Sequence, residues 1–293
     1  MKLEKNLLKS LKSSKVIVWA LFDDAQCSYK KAIEEYFSNE NIEVYSIGIN
    51  NVNFPESDKF FYRKIDLSLT NPNLFKKLNK LPHPHIILAS PPCEAWSGAD
   101  CKARMTNSID ENGCWMIKNS KFYDEYNIRS HKNKRRSFLQ KEKTRIVGEN
   151  TIGATIAIIK EYVPNVWVIE NPQTSLSWKF QKYHWDFHGY ENLTFYSAYD
   201  KNFSLKPTIF KSNIKLLLKN ERVQGNKDHM AKGSYKKRSS IPSLLIKSIF
   251  MQCLVNNTPK WDDPVRVDKI MREWSKTENY KYCIDLLTRL AKE

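Results

Sequence analysis

The sequence predicts an α/β fold in which a largely parallel sheet carries helices on both faces. Short apolar runs alternate with segments of helix-forming residues, as in chains built from strand–helix units. Several of these runs are apolar throughout, which is typical of strands buried on both faces. The chain has 293 residues, of which 41% are hydrophobic, and this is enough for one large domain with a full-sized core.

The apolar pattern predicts the elements in order along the chain. Val16–Phe22 is a continuous apolar run, whereas Ile42–Ile47 alternates at the period of two that a strand has. Pro82 and Pro84 separate a helix from the next strand, and Pro164 ends a later helix. The predicted strands are 16–22, 42–47, 85–89 and 166–169, and the predicted helices are 28–38, 71–79, 151–162, 241–254 and 280–290.

Positive charge is concentrated in two segments of the predicted single domain 1–293. The chain has a net charge of +16, and residues 118–145 contain ten basic and three acidic residues. Residues 211–238 contain nine basic and two acidic residues. Solvated surface loops would explain such charge, but contacts with the phosphates of a nucleic acid explain its concentration better. The first segment lies within a basic insertion of about residues 98–145.

Several other classes of protein are excluded by composition. No apolar run reaches the roughly 18 to 20 residues of a membrane helix, and the N-terminus lacks the apolar core of a secretory signal. The six cysteines form no Cys-x-x-Cys pair, so we expect reduced thiols in a cytoplasmic protein. His184 and His188 have a spacing that suits zinc only on a helix, and no third ligand is evident. We therefore predict no metal and no membrane partner.

Two motifs follow predicted strands directly. Ser90-Pro91-Pro92-Cys93 comes after strand 85–89, and Glu170-Asn171-Pro172 comes at the end of strand 166–169. The carboxyl ends of parallel strands are where such sheets bind ligands, and two prolines stiffen a loop. A cysteine presented there is a candidate nucleophile once a neighbour activates its thiolate. Both residues also have purely structural interpretations: Cys93 can be a small buried residue, and Glu170 can belong to a turn.

Two further motifs follow in the chain. These are Lys206-Pro207-Thr208 and Arg238-Ser239-Ser240-Ile241-Pro242. With all four motifs in this order, the chain resembles the DNA cytosine-5 methyltransferases, especially a compact group frequent in phages and mobile elements. The resemblance implies a Rossmann-like methyltransferase fold, S-adenosylmethionine as methyl donor and double-stranded DNA as substrate, with or without a cognate restriction nuclease.

The resemblance also implies roles for residues around the base. Cys93 would be the nucleophile that adds to C6 of cytosine, and Glu170 would hold the ring N3 and the exocyclic amine. Lys206 stands where the family often places a cation near the base. The base must leave the duplex to reach Cys93, and we expect Trp96 to lie beside the flipped base or the cofactor. The segment 211–238 falls where the family reads its target sequence.

The methyl donor would lie at the ends of the first three strands. The first loop, residues 22–28, has no glycine, although the family usually places glycines there for close backbone approach. Asn50 stands where the family has an acidic residue for the ribose, whereas Asp66 matches the family. The donor-binding residues implied by the resemblance are Phe22, Asp23, Asn50, Asp66 and Pro91.

Contacts with DNA are predicted for one polar residue after the cysteine loop and for cations of the two basic segments. These residues are Ser97, Lys132, Arg135, Arg136, Lys236 and Arg238. Two other hypotheses stay open. An amino-methyltransferase acting on cytosine N4 or adenine N6 also has Ser-Pro-Pro, but followed by an aromatic residue where this chain has Cys93. A non-catalytic DNA-binding protein on a methyltransferase scaffold is favoured by the missing glycines and opposed by the retained Cys93 and Glu170.

Overall fold

The computed structural model describes residues 15–23, 26–52, 57–97, 108–109, 115–231 and 235–257. Seven strands form one sheet in the order β3-β2-β1-β4-β7-β9-β8, and two short strands, β5 and β6, pair separately. The strands are β1 Val16–Leu21, β2 Ile42–Gly48, β3 Phe60–Lys64, β4 Ile86–Ala89, β5 Ser108–Ile109, β6 Trp115–Met116, β7 Val166–Pro172, β8 Tyr190–Phe195 and β9 Pro207–Ser212.

The first five strands of the main sheet are parallel, and they follow the order of a doubly wound Rossmann-like sheet. Strand β9 inserts antiparallel between β7 and β8. The predicted α/β fold class is therefore confirmed. Strands β2 and β4 flank β1 on opposite sides, so the connections from β1 and from β4 run in opposite directions along the sheet. At such a topological switch point a crevice opens at the carboxyl ends of the strands, here those of β1 and β4.

Helices cover both faces of the sheet. Val18 of β1 belongs to a core with residues of α1 and α8, whereas its neighbour Trp19 belongs to a core with residues of α2 and α4, as side-chain alternation along a strand requires. Within the described ranges, no helix is both long and apolar enough to cross a membrane. The helices are α1 Ser28–Phe37, α2 Leu74–Leu78, α3 Ser120–Arg129, α4 Phe138–Tyr162, α5 Ser177–Lys179, α6 Asp228–Ala231, α7 Tyr235–Ser239 and α8 Ser243–Asn257.

The largest difference from the prediction lies in α4, which begins at Phe138 instead of residue 151. The Ser137 side chain caps its first turn by accepting a hydrogen bond from the Gln140 amide. Arg145 pairs with Glu142 and Glu149 one turn to either side, which supports a helix. Much of the basic stretch 118–145 is thus helical.

Other differences are smaller. Helix α2 is shorter than predicted, and α8 begins at Ser243, just after Pro242. Strands β3, β8 and β9 were not predicted, because polar residues interrupt their apolar pattern. The helix predicted at 280–290 lies outside the described residues.

Candidate active site

The carboxyl ends of β1, β4 and β7 open into one cavity of about 1450 Å³. Arg135 and Arg136, like Lys132, lie elsewhere, on the segment between α3 and α4. Lys236 belongs to α7, where its side chain lies outside what the structure describes. The predicted site residues that line the cavity are Phe22, Asp23, Asn50, Asp66, Pro91, Cys93, Ser97, Glu170, Lys206 and Arg238.

The Cys93 loop is clamped to three neighbouring elements. The Ser90 amide donates to the Leu21 carbonyl at the end of β1, at 3.1 Å, and the Tyr29 hydroxyl of α1 lies 2.8 Å from Ser90 Oγ. On the other side, Asn171 Nδ2 donates to the Pro91 carbonyl at 3.0 Å. Because Asn171 is fully buried, this bond is shielded from water. These contacts, added to the two prolines, hold Cys93 at the cavity wall.

The Cys93 thiol is held in its neutral form. Burial is the main cause that raises its pKa to about 11, and the nearby Glu170 carboxylate raises it further. The Lys206 ammonium acts in the opposite direction and lowers the pKa. A thiol, a carboxylate and an ammonium group therefore influence one another electrostatically across the cavity, and perturbed groups of this kind are frequent at functional sites.

The hydroxyl of Tyr196 lies between the Glu170 carboxylate and the Lys206 ammonium and is hydrogen-bonded to both. Tyr196, fully buried, donates its hydroxyl hydrogen to Glu170 Oε1 at 3.1 Å, and it lies 3.4 Å from Lys206 Nζ, which donates to it. The same ammonium sits 4.4 Å above the centre of the Tyr196 ring and 4.0 Å from Glu170 Oε1. Burial raises the pKa of Tyr196 well above its ordinary value, so the phenol stays a donor.

The backbone at Lys206 is strained. Its φ is 22°, in the left-handed region that non-glycine residues avoid, and it precedes Pro207, which ordinarily favours an extended residue before it. Strain of this kind persists where surrounding contacts over-determine a conformation, often at functional sites. At Lys206 those contacts are Tyr196 and the Arg238 carbonyl, 3.5 Å from Nζ.

The other half of the cavity is built from the loops after β1, β2 and β3. Asp23 is buried, and its carboxylate accepts hydrogen bonds from the amides of Tyr29 and Lys30 and from the Ser46 hydroxyl. Its side chain thus anchors the start of α1, although the residue lines the cavity. Phe22 has a φ of 52°, so a phenylalanine adopts the backbone conformation that glycine would adopt without strain.

Asn50 and Asp66 also line the cavity and are exposed. The Asn50 carbonyl accepts a hydrogen bond from the Tyr62 hydroxyl at 2.7 Å, and Asp66 Oδ1 accepts one from the Ser68 amide at 3.1 Å. Each side chain therefore keeps polar atoms available to a ligand in the cavity.

The expectation for Trp96 is wrong. Its side chain is fully buried and packs on Phe180, with ring centroids 4.8 Å apart. A Cβ at Gly148 of α4 would lie 2.8 Å from Trp96 Nε1, so the glycine makes room for the indole. Trp96 belongs to the core that supports the loop.

The two histidines considered for zinc have other neighbours. His188 lies 2.7 Å from Asp186, and His184 stacks on Phe180. In the part of the chain that is described, no three potential metal ligands come together.

Sequence reasoning missed Tyr196 and the role of Asn171. Asn171 lies within the motif Glu170-Asn171-Pro172, so the sequence predicted its place at the end of a strand. The sequence did not predict its hydrogen bond to the Pro91 carbonyl. Tyr196 belongs to no motif, and only the pairing of β8 and β9 beside β7 brings it to Glu170.

No protein-family model and no curated protein matches the chain. Among solved structures, an Entamoeba histolytica methyltransferase, EhMeth, matches 73% of this chain with a TM-score of 0.41 and 12% identity. This chain covers 58% of the length of that protein.

Two other solved structures also match. A Plasmodium falciparum protein described as a ribosomal RNA methyltransferase matches 77% of this chain and 96% of its own, with a TM-score of 0.34 and 11% identity. An E. coli prophage protein described as a DNA modification methyltransferase matches 68% of this chain and 46% of its own, with a TM-score of 0.34 and 14% identity.

Proposed function

We propose that the chain is a DNA cytosine-5 methyltransferase. One observation carries the proposal: the Cys93 thiol, the Glu170 carboxylate and the Lys206 ammonium line one cavity at the carboxyl ends of neighbouring strands. Nucleophile, acid and cation occur in the order and on the motifs that the resemblance assigns to this reaction. The cavity volume of about 1450 Å³ leaves room for a nucleotide beside a second ligand.

The chemistry follows from what each side chain can do. The Cys93 thiolate adds to C6 of cytosine, and the displaced electron pair makes C5 nucleophilic. The methyl group would come from the donor, whose carbon–sulfur bond breaks to leave a neutral thioether. C5 then loses its proton to solvent water, and the electron pair left behind expels the thiolate and restores the ring. One oxygen of Glu170 accepts a hydrogen bond from the exocyclic amine, and the carboxyl group, when protonated, donates its hydrogen to N3, which neutralises the negative charge that the attack places on the ring.

Lys206 and the neutral thiol set the conditions for the first step. With a pKa of about 11, Cys93 carries its proton at neutral pH, so this proton has to pass to solvent water before the thiolate can attack. Lys206 favours the thiolate electrostatically.

The residues of the other half of the cavity fit S-adenosylmethionine. Apolar Phe22 and Leu67 flank the exposed acceptors Asn50 and Asp66, a combination that suits an adenosine with its ring and hydroxyls. When bound, this donor supplies an electrophilic methyl group. Asp23 would contribute through the loop that it anchors, since its carboxylate is engaged by α1 and Ser46.

Double-stranded DNA is the proposed substrate. Arg238 at the cavity wall and Lys132 and Arg135 on an exposed segment supply cations for phosphates. Ser97 lies beside the cavity, where the backbone of an extruded nucleotide would pass.

The test is base composition by mass spectrometry of DNA from cells that express the chain or its Cys93→Ala variant. We expect 5-methylcytosine with the native chain and a loss of about a thousandfold or more with the variant, while DNA affinity is kept. N4-methylcytosine or N6-methyladenine would instead indicate an amino-methyltransferase. Absence of any modified base from cells with folded, DNA-binding native protein would indicate a non-catalytic DNA-binding protein.

A further inference from the structure

An arm stands beside the cavity, formed by α3 and the first turns of α4 (residues 118–147, the α3–α4 arm). The buried residues of α4 begin at Gly148, so its first ten residues lie beyond the core. The arm is nevertheless ordered by its own contacts. Tyr123 is buried against Phe138, and the Asn127 amide both donates to the Arg136 carbonyl, at 2.8 Å, and accepts from its N–H, at 2.7 Å.

An apolar stripe runs along α4 from the arm to the cavity. Leu139 is 71% exposed, Ile146 47% and Val147 50%. Leu139 and Ile146 are two turns apart on one helix face, about 10 Å along the axis. Ile146, Val147 and Asn150 line the cavity, so the stripe leads directly to its mouth. Ile146 and Val147 are thus exposed apolar residues at a cavity, where they can contact a bound ligand.

The α3–α4 arm carries six exposed cations and two exposed acids, Asp124 and Glu125. Lys143 lies on the same helix face, between Leu139 and Ile146. The acidic Glu142 and Glu149 both pair with Arg145, each at 2.8 Å, so their charge is compensated within the helix. The exposed cations of the arm are Lys121, Arg129, Lys132, Lys134, Arg135 and Lys143.

This combination fits one partner, a DNA duplex from which a base has been extruded. Such a duplex presents phosphates to the cations and, in the gap left by the base, the apolar faces of the neighbouring bases. Contact in the gap offsets part of the cost of unstacking. An apolar protein surface would match the stripe but leave the excess positive charge of the arm without counter-charges.

We propose that the α3–α4 arm binds the duplex beside the extruded nucleotide, with Leu139 in contact with the bases that border the gap and with Lys132 and Arg135 on phosphates. This inference rests on the proposed function, because the stripe leads to the cavity that would take the base. It assigns to Leu139 a contact with the bases, in addition to the phosphate contacts already expected of residues 118–145.

The experiment is a fluorescence anisotropy titration of the full chain at several salt concentrations. The probes are a labelled duplex with one unpaired cytosine and the same duplex fully paired. The variants are Leu139→Ser, the double variant Lys132→Ala/Arg135→Ala, and Val163→Ser. Val163 is 74% exposed at the far end of the same helix, so it is a matched control for loss of an exposed apolar side chain.

We expect Leu139→Ser to weaken binding of the unpaired-cytosine duplex about fivefold, more than that of the paired duplex, with the salt dependence unchanged. The double variant should weaken binding to both and reduce the slope of log affinity against log salt by about 1 to 2. Val163→Ser should bind as the native chain does.

Equal binding by Leu139→Ser and the native chain would overturn the proposal, as would a native chain that binds neither duplex. So would light scattering that shows the native chain to be a dimer and Leu139→Ser a monomer, because a second copy would then cover the stripe. Tighter binding to an RNA duplex of the same sequence would assign the arm to RNA. Since binding is the readout, missing 5-methylcytosine would refute the proposed function and leave the arm to be judged separately.

Discussion

The two halves of the cavity are built differently. In the half with Cys93, the polar side chains of Glu170, Asn171 and Tyr196 are buried and hydrogen-bonded across strands that are far apart in sequence. In the half formed by the loops after β1 to β3, Asp23 is also buried and bonded to α1 and Ser46. Asn50 and Asp66, however, are exposed, and their hydrogen bonds join residues closer in sequence. A buried network fixes geometry, because leaving any member unpaired is costly, whereas exposed loops tolerate changes in residue type.

The largest expected effect concerns the thiol of Cys93, which we expect to react slowly with iodoacetamide at pH 7. Because only the thiolate reacts and the pKa is about 11, the rate should rise about tenfold for each pH unit, roughly a hundredfold from pH 7 to pH 9. The rate of modification at Cys93, followed by mass spectrometry, measures this.

Two variants test in which direction Glu170 and Lys206 each shift the pKa of Cys93. Glu170→Gln removes a negative charge, so the pKa of Cys93 should fall and alkylation at pH 8 should accelerate. Lys206→Met removes a positive charge, so the pKa of Cys93 should rise and alkylation at pH 8 should slow. Equal rates in both variants would contradict the electrostatic link between the three groups. Cys253, fully buried with a raised pKa, serves as the internal reference that stays unmodified.

A smaller effect is expected for Tyr196→Phe, which keeps the ring beneath Lys206 but removes the hydroxyl that Glu170 accepts from. Lys206, 4.0 Å from Glu170 Oε1, would then compete with the base for that carboxylate. We expect kcat for methyl transfer to fall about tenfold to a hundredfold, with KM for DNA little changed. Steady-state kinetics measures both.

Tyr162→Phe is the matched control, since its hydroxyl donates to Asn79 on the other face of the sheet. It should lose comparable stability, about 1 kcal/mol, and keep its kcat. A fall in kcat of equal size in both variants would show that loss of stability alone explains the effect of Tyr196→Phe.

The smallest effects separate two aspartates in the other half. Asp66→Asn should weaken binding of S-adenosylmethionine about threefold to tenfold, as expected for the loss of one charged hydrogen bond, and leave the melting temperature nearly unchanged. Asp23→Asn should lower the free energy of unfolding by about 1–2 kcal/mol, because the carboxylate holds the start of α1. Calorimetric titration and thermal unfolding of both variants test this contrast; the reverse assignment of the two effects would contradict it.

Sequence reasoning reached the parts of the site that lie directly after buried strands. Cys93 follows β4, and Glu170 lies near the end of β7. Because these strands are parallel neighbours, both positions come to the same edge of the sheet. It failed where contacts join distant segments. The N-terminal half of α4 is stabilised by a side-chain cap and by ion pairs, within a basic stretch where no helix was predicted. The buried position of Trp96 depends on space left by Gly148, more than fifty residues away in the sequence.

What the sequence by itself determined is the class of fold and the set of candidate reactive groups, because apolar periodicity specifies strands and side-chain type limits the chemistry that is available. Only the tertiary structure decided how those groups are held. The hydroxyl of Tyr196 between Glu170 and Lys206, the Asn171 bond that clamps the Cys93 loop and the turn of the Asp23 carboxylate toward α1 each depend on which strands and helices lie side by side. Such bonds join residues that are not neighbours in the chain, so no local pattern records them.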